Sequence, residues 1–447
     1  MDEAIWKASA RDTRNGRDRA LRVAVLVDLE QRPAAGGHVK FWEHIAHAAA
    51  VQSDLELSLH FQGTARSVER LASNVELHTH RPVLNSARFP GLAHMPDHSD
   101  LSPWHPGLAA QLRGVNLVHA TDTLFAFART AKRWCRWHNV PLATSLHTDS
   151  VAYCEIYARE TLSTWLGALH LSRAQEWGAM LSRYLREAME KRAQQHLQES
   201  AHVLASGTRL HALARSNPDA SVSQLRRGLD PDIFSTSARA GRSRGQVRSA
   251  LGIPDSALVI CFSGRLSAGK QVRRVARTAA VMVGGGHDVH AVFAGQGAEA
   301  DFISNTLGNR AHVLGHISQT ELGDVLRAGD IFVFPSQVEI WANAVAEARA
   351  CGLPVIVDAA GGGQLISAAG DDGLVIEEDD DKPWVLALKA LLESPSKRRS
   401  MREAGLRQHE ATVPTWQKVL TDDLLTAWRQ CAQRAVLAPH GAANLRA

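Results

Sequence analysis

Nothing in the 447-residue sequence approaches the roughly 18 continuous apolar residues that a membrane span needs, so no transmembrane anchor is expected. The first twenty residues mix acids and bases around no apolar centre, which excludes a signal peptide and predicts a flexible polar leader over 1–20. Cysteine is sparse and scattered. Cys135, Cys154, Cys261, Cys351 and Cys431 lack the paired spacing of a metal site and predict reduced thiols in a cytoplasmic protein. Charge is nearly balanced, 50 basic against 46 acidic residues for a net +4. That argues against nucleic acid and suits a nucleotide diphosphate or a passing contact with an anionic membrane surface. The spaced glycines of a dinucleotide-binding fingerprint are also missing after the first strand.

What is present is a soluble composition, 45% hydrophobic and 21% charged, with length for two domains of about 200 residues each. Short apolar runs alternate with helical periodicity. In the first half Leu21–Val27, Leu55–His60, Val75–Leu77, Val115–His119, Pro141–Leu146, Ala201–Ser206 and Val222–Leu225 read as strands. Helices are predicted over His38–Ala50, from Ala120-Thr-Asp122 to Trp137, through 159–200, and briefly at Gly207–Ala214. Residues 80–106 show no period and read as a lid or binding loop. The helix ending near Trp137 carries Arg129, Lys132, Arg133 and Arg136 beside two tryptophans, a face that suits anionic lipid or plain solvent.

Ser235–Val247 predicts an exposed basic loop, and the second half repeats the alternation. Its strands are Ala257–Phe262, Val289–Gly295, Ile331–Phe334, Leu353–Val357 and Asp372–Val375. Its helices include Glu321–Ala328, Trp341–Cys351 and Trp416–Arg429. This is a doubly wound α/β pattern, whose ligands sit outside the carboxyl ends of the strands. Glu339 and Glu347 stand there, beside a turn and helix start that can cradle a diphosphate, and their spacing suits either acceptors for sugar hydroxyls or plain solvated surface charge. The acids Asp379–Asp381 read as the capped start of a helix, and no metal is assigned.

The stretch Ile331–Ile366 resembles the donor signature of retaining glycosyltransferases of group 1, family 4: a Glu, seven residues, a Glu, then a small-residue–Gly–Leu–Pro–Val turn. The resemblance implies the GT-B fold, two Rossmann-like domains facing each other across a cleft. It spans about residues 21–430, with an acceptor-side domain over 21–230, a donor domain over 231–411, a helix at 412–430 bracing the first, and a flexible tail over 431–447. In Ser263–Lys270, Arg265 and Lys270 occupy the places of the family's diphosphate clamp, with Gly269 where a glutamate is usual. Gly36 and Gly37 would let the first loop approach the donor phosphates, and His316 and Ile317 would pair with the base. Ala342 and Asn343 match the phosphate turn, where Ala342 and Trp341 depart from the commoner Gly and Phe. Glu339 would hold sugar hydroxyls and Glu347 the ribose.

The segment His147-Thr-Asp149 with Tyr153 and Tyr157 resembles the lipid-glycosylating subgroup, which includes phosphatidylinositol mannosyltransferase and the sulfoquinovosyl- and glucosyl-diacylglycerol synthases. There the histidine lies beside the transferred sugar. The implied activity is transfer of a hexosyl unit from a UDP- or GDP-sugar to a hydroxyl, with lipid or polysaccharide intermediates among the acceptors. It needs no bound cofactor, and it places the protein in the cytoplasm or peripherally at the inner membrane face. The same architecture also serves sugar-nucleotide epimerases and non-catalytic nucleotide-sugar-binding proteins.

Overall fold

The computed structural model describes residues 20–32, 36–88, 99–147, 150, 151, 154, 174–207, 211, 212, 215, 221–237, 241–337, 339 and 341–437. The chain forms two compact units, Met1–Arg226 with Gln417–Ala447, and Arg227–Trp416. Residues 1–19 of the leader lie outside the described residues, as do Pro33–Ala35, Thr148, Asp149, Tyr153, Tyr157 and the turn at 216–219.

The first unit is built on an eight-stranded sheet. Its elements are β1 (Leu21–Glu30), α1 (Gly37–Ala49), β2 (Leu55–Gln62), β3 (Ser67–Ala72), β4 (Val75–His80), β5 (Leu117–Ala120), α2 (Ala126–His138), β6 (Leu142–Leu146), α3 (Ala174–Gln198), β7 (His202–Ala205) and β8 (Ser221–Gln224). The order is β3-β4-β2-β1-β5-β6-β7-β8, parallel except where β3 meets β4. Val23–Asp28 is buried throughout, as a central parallel strand covered on both faces requires. β3 escapes the apolar pattern because it is a charged edge strand, held by Ser67 on Thr79 and Arg70 on Glu76, each at 2.7 Å. α2 begins at Ala126, not at Ala120. The Asp122 carboxylate accepts from Leu124 N at 2.6 Å and Phe125 N at 2.9 Å, and this turn precedes the helix.

The described parts of 80–106 contain only a 3₁₀ turn at Ser86–Arg88 and a single helical turn at Pro106–Ala109. Buried carboxylates nevertheless fasten them. Asp100 accepts from Val83 N, Leu84 N and Ser102 N at 2.8–3.0 Å, and Asp28, at the end of β1, accepts from Asp100 N and Phe127 N.

The second unit contains α4 (Arg244–Ala250), β9 (Leu258–Ser263), α5 (Val272–Gly284), β10 (Val289–Ala294), α6 (Ala300–Leu307), β11 (Ala311–Gly315), α7 (Gln319–Ala328), β12 (Ile331–Phe334), α8 (Asn343–Ala350), β13 (Val355–Asp358), β14 (Leu374–Ile376), α9 (Asp381–Leu392) and α10 (Pro395–Thr412). Its six strands run parallel in the order β11-β10-β9-β12-β13-β14. Phe262, Phe293, Phe332 and Trp384 are fully buried around it.

The basic loop expected over 235–247 is partly helix. Ser243 caps α4 in a capping box with Gln246, while Arg244 and the buried Arg248 converge on Asp330 at 2.7 and 2.6 Å. α8 and β13 each begin two residues later than their apolar runs.

The last helical stretch belongs to the first unit. It passes through a π-helical segment, Val419–Leu425, into α11 (Thr426–Leu437), so the expected tail is still helical to Leu437. No helix among the described residues is long and apolar enough to cross a membrane.

Candidate functional site

In the second sheet the strand order reverses beside β9, which lies between β10 and β12. Such a switch point opens a crevice at the carboxyl ends of the strands. The loops that line it are held backbone to backbone. Leu266 N donates to Gln296 O at 3.0 Å, and Glu299 N to Leu266 O at 3.1 Å. A Cβ on Gly295, whose φ is +152°, would collide with the Gly264 carbonyl, and one on Gly361 with the Ser336 carbonyl.

At this crevice the Lys270 ammonium contacts the Glu339 carboxylate, which also accepts from the Ser336 hydroxyl at 2.7 Å. Lys270 ends a 3₁₀ turn, Ala268–Lys270, and the next residue, Gln271, takes the left-handed conformation at φ +50°. Arg265 is exposed, and no side chain among the described residues pairs with it. Gly269 has no atom within 4 Å of an added Cβ, so packing does not require glycine there. The acid that meets Lys270 is Glu339.

α8 starts at Asn343, and no side chain caps it. Its dipole favours an anion there, while the Asn343 and Val345 N–H groups donate to the carbonyls of Trp341 and Ala342. Ala342 is 1% exposed, and Trp341 packs on the same apolar core. The methyl group and the larger ring are thus absorbed by the core. Glu347 lies one turn into α8 on the side of Asn343. It is half-buried, its carboxyl makes no hydrogen bond or ion pair among the described residues, and burial pushes that carboxyl up to about 7. His316 and Ile317 follow β11 at the sheet edge, His316 exposed and Ile317 packed on the core, and neither bonds to the Lys270–Glu339 pair.

Ser336, Gln271 and the roles of Arg274 and Arg277 were not legible from spacing. Arg274, 9% exposed at its side chain, holds Asp379 at 2.7 Å and Asp381 at 2.9 Å, and Arg277 holds Asp381 at 2.6 Å. Asp380 caps α9. The acidic cluster is thereby committed to arginines and a helix start. Among the described residues no group of three or more His, Cys, Asp or Glu side chains is arranged for a metal ion.

In the first unit Gly36 precedes α1 with φ −68° and open space around its Cα, so its backbone is approachable although its conformation suits any residue. Gly37 is the first residue of α1. His147, 3% exposed, follows β6 directly and stacks on His38 at 4.3 Å. The basic face of α2 is engaged within its own unit. Arg129 and Arg133 donate to the carbonyls of Leu101, Ser102 and Pro103, and Lys132 and Arg136 pair with Glu199. Trp134 is buried and Trp137 exposed.

Comparison with known proteins accords with this geometry. Residues 243–408 match the family model described as glycosyl transferases group 1. The D-inositol 3-phosphate glycosyltransferase of Stackebrandtia nassauensis is 35% identical over 250 residues, 51% of this chain and 52% of that protein. Its counterpart in Mycobacterium bovis is 31% identical over 213 residues, 45% of this chain and 42% of that protein. The chain spans about half the length of the curated relatives it matches. Sucrose-phosphate synthase from Thermosynechococcus elongatus superposes with a TM-score of 0.65 at 16% identity, over 94% of this chain and 100% of that one. HepE from Anabaena in complex with UDP-glucose gives 0.62 at 15%, over 94% and 100%. Within the second unit, residues 243–408 are thus similar to a glycosyltransferase group 1 domain, and the chain has the GT-B fold.

Proposed function

We propose that the protein is a retaining glycosyltransferase that moves a hexosyl unit from a nucleoside diphosphate sugar to a hydroxyl acceptor. The reading is carried by the Lys270–Glu339 pair at the switch point of a group 1 domain. A diphosphate brings more negative charge than one carboxylate, so it draws Lys270 from Glu339 and leaves Glu339 to receive the sugar hydroxyls. Arg265 joins Lys270 on the diphosphate, the uncapped start of α8 adds its positive dipole end, and Glu347 takes the ribose hydroxyls. Charge grows on the leaving diphosphate as the anomeric C–O bond breaks, so fixed cations there stabilise the transition state more than the ground state. The acceptor oxygen bonds to the anomeric carbon, and its proton passes to the departing phosphate oxygen.

The test has two stages. Thermal shift with UDP- and GDP-sugars identifies the donor, because a ligand of the native state raises its stability. Release of free nucleoside diphosphate is then followed with and without acceptors. The names of the curated relatives put an inositol phosphate first among acceptors, followed by inositol lipids presented in vesicles. Release that depends on the acceptor, with product of unchanged anomeric configuration, is expected. Tight binding without release under any acceptor would mark a binding protein, and inverted product would overturn the mechanism.

A further inference from the structure

One face of the first sheet holds polar groups that the proposed reaction has not used. β5 and β6 are parallel, with His119 opposite Ala143. Residues two apart on a strand share a face, so His119, Ser145 and, just past the strand end, His147 line up on one side. Thr144 points the other way, to His196 and Ser200 at 3.0 and 2.8 Å. Trp42 of α1 packs edge-on against both His119 and His147, at centroid distances of 5.0 and 5.6 Å. Trp428 of α11 lies against His119. Three hydrogen bonds connect the row: Trp428 Nε1 to His119 Nδ1 at 2.8 Å, His119 Nε2 to Ser145 Oγ at 2.8 Å, and Ser145 Oγ to His147 Nε2 at 2.9 Å.

Their direction follows from chemistry. An indole N–H can only donate, so His119 accepts at Nδ1. His119 is fully buried and neutral, its ring pushed down to about 3 by desolvation, and its single proton is therefore on Nε2. That N–H donates to Ser145. Among the described residues the Ser145 hydroxyl has these two histidines as its only partners, so its own proton goes to His147 Nε2. The reverse arrangement, with both rings donating to Ser145, would strand a buried hydroxyl proton.

We infer that Trp428, His119 and Ser145 form a one-way relay that fixes His147 as the Nδ1–H tautomer, making it a hydrogen-bond donor and not a base. Which ring nitrogen bears the proton is set by the bond the other nitrogen makes. With Nε2 occupied as an acceptor, His147 has no basic nitrogen to offer. On the glycosyltransferase reading, His147 is then not the base that takes the acceptor's proton. Trp428, His119 and Ser145 are positioning residues.

The tautomer is read directly by nitrogen-15 spectroscopy of the full-length protein labelled at histidine, with the His147 signals identified by their loss in His147→Asn. The Nδ1–H form should exceed the other by about tenfold or more, the bias one buried hydrogen bond imposes. Ser145→Ala should move that ratio toward even, and Trp428→Phe, which keeps the packing and removes the donor, should move it in the same direction. A wild-type His147 protonated on Nε2, or a mixture of forms, would overturn the relay. So would a ratio unaltered by Ser145→Ala. The spectrum needs no substrate, so the relay can fail while turnover succeeds, and the expected tautomer in a protein without transferase activity would remove only the reading of the site.

Discussion

Glu339 and Glu347 differ sharply in surroundings. Glu339 is bound to Lys270 and Ser336, whereas the half-buried Glu347 carboxyl has no hydrogen-bond or ion-pair partner among the described residues. Opposite outcomes follow on neutralisation. On the proposed reading Glu347 holds the ribose, so Glu347→Gln should weaken the sugar-free nucleoside diphosphate by about 1.5–3 kcal/mol in calorimetric titration, the worth of charge-assisted hydrogen bonds. Glu339→Gln should leave affinity for that ligand unchanged or raised a few-fold, because it releases Lys270 and removes a negative charge beside the diphosphate, while turnover with the sugar nucleotide falls. Equal losses with both ligands would place Glu339 on the nucleotide. Lys270→Ala and Arg265→Ala should each lower turnover by roughly 10²-fold, as removal of a transition-state charge contact does.

Glu347 also predicts a pH dependence. Its folded value, about 7, lies above the ordinary 4.5, so between those limits the native state holds a proton that the unfolded chain has lost. The stabilising contribution is present below 4.5 and is lost as pH rises to 7. Glu347→Gln should therefore gain in melting temperature relative to wild type as pH rises from 5 to 8. Nucleotide affinity of the wild type should strengthen over pH 6–8 as the carboxylate ionises, and this rise should vanish in the variant. Asp28 is raised to about 7 by burial as well, so the difference between the two proteins, not either curve alone, is the informative quantity. The glutamates were legible because their spacing is local. The Lys270–Glu339 contact was not, since it exists only because β12 pairs with β9, and 69 residues separate the two side chains.

Boundaries failed where a side chain or a fold-level partner overrode local pattern. Asp122 delays α2 by forming a turn with Leu124 and Phe125, and β3 is held by cross-strand polar pairs on an exposed edge where no apolar alternation is needed. Gln271 shows the same principle at the clamp. It joins the 3₁₀ turn bearing Lys270 to α5 in a left-handed conformation that costs an L-residue about 1–2 kcal/mol. Gln271→Gly should relieve that strain and be neutral or stabilising by up to about 1 kcal/mol, offset by the greater freedom of the unfolded chain. Gln271→Val, β-branched, should destabilise by more than about 1 kcal/mol and lower nucleotide affinity by displacing Lys270. Urea unfolding of both variants checks the pair. A valine variant as stable as wild type would mean that the turn is free to relax.

At the level of the whole chain, the alternation of apolar runs foretold two sheets that are parallel apart from the edge strand β3, because strands buried on both faces need no partner information to be recognised. The return of the C-terminus to the first unit came only from the family resemblance, since an amphipathic helix does not state which core it joins. That return has a physical consequence. The second unit, Arg227–Trp416, is one continuous segment with its own sheet and core and both members of the Lys270–Glu339 pair. The first unit is discontinuous. Without 417–447 it loses the fully buried Leu420, Leu424 and Trp428, the donor to His119, and the Asp423 carboxylate that holds Arg226 at 2.6 Å. Residues 227–416 expressed alone should therefore unfold cooperatively in urea and bind nucleoside diphosphate, whereas residues 1–226 alone should not give a cooperative transition. In the full chain, Trp428→Ala should cost about 3–5 kcal/mol, the usual penalty for emptying a buried indole site, and the loss should appear in the first unit only. Hydrogen exchange resolves the two units. Protection lost from β5 and β6 but retained in β9 and β12 is the expected pattern, and equal loss in both sheets would mean that the units unfold as one.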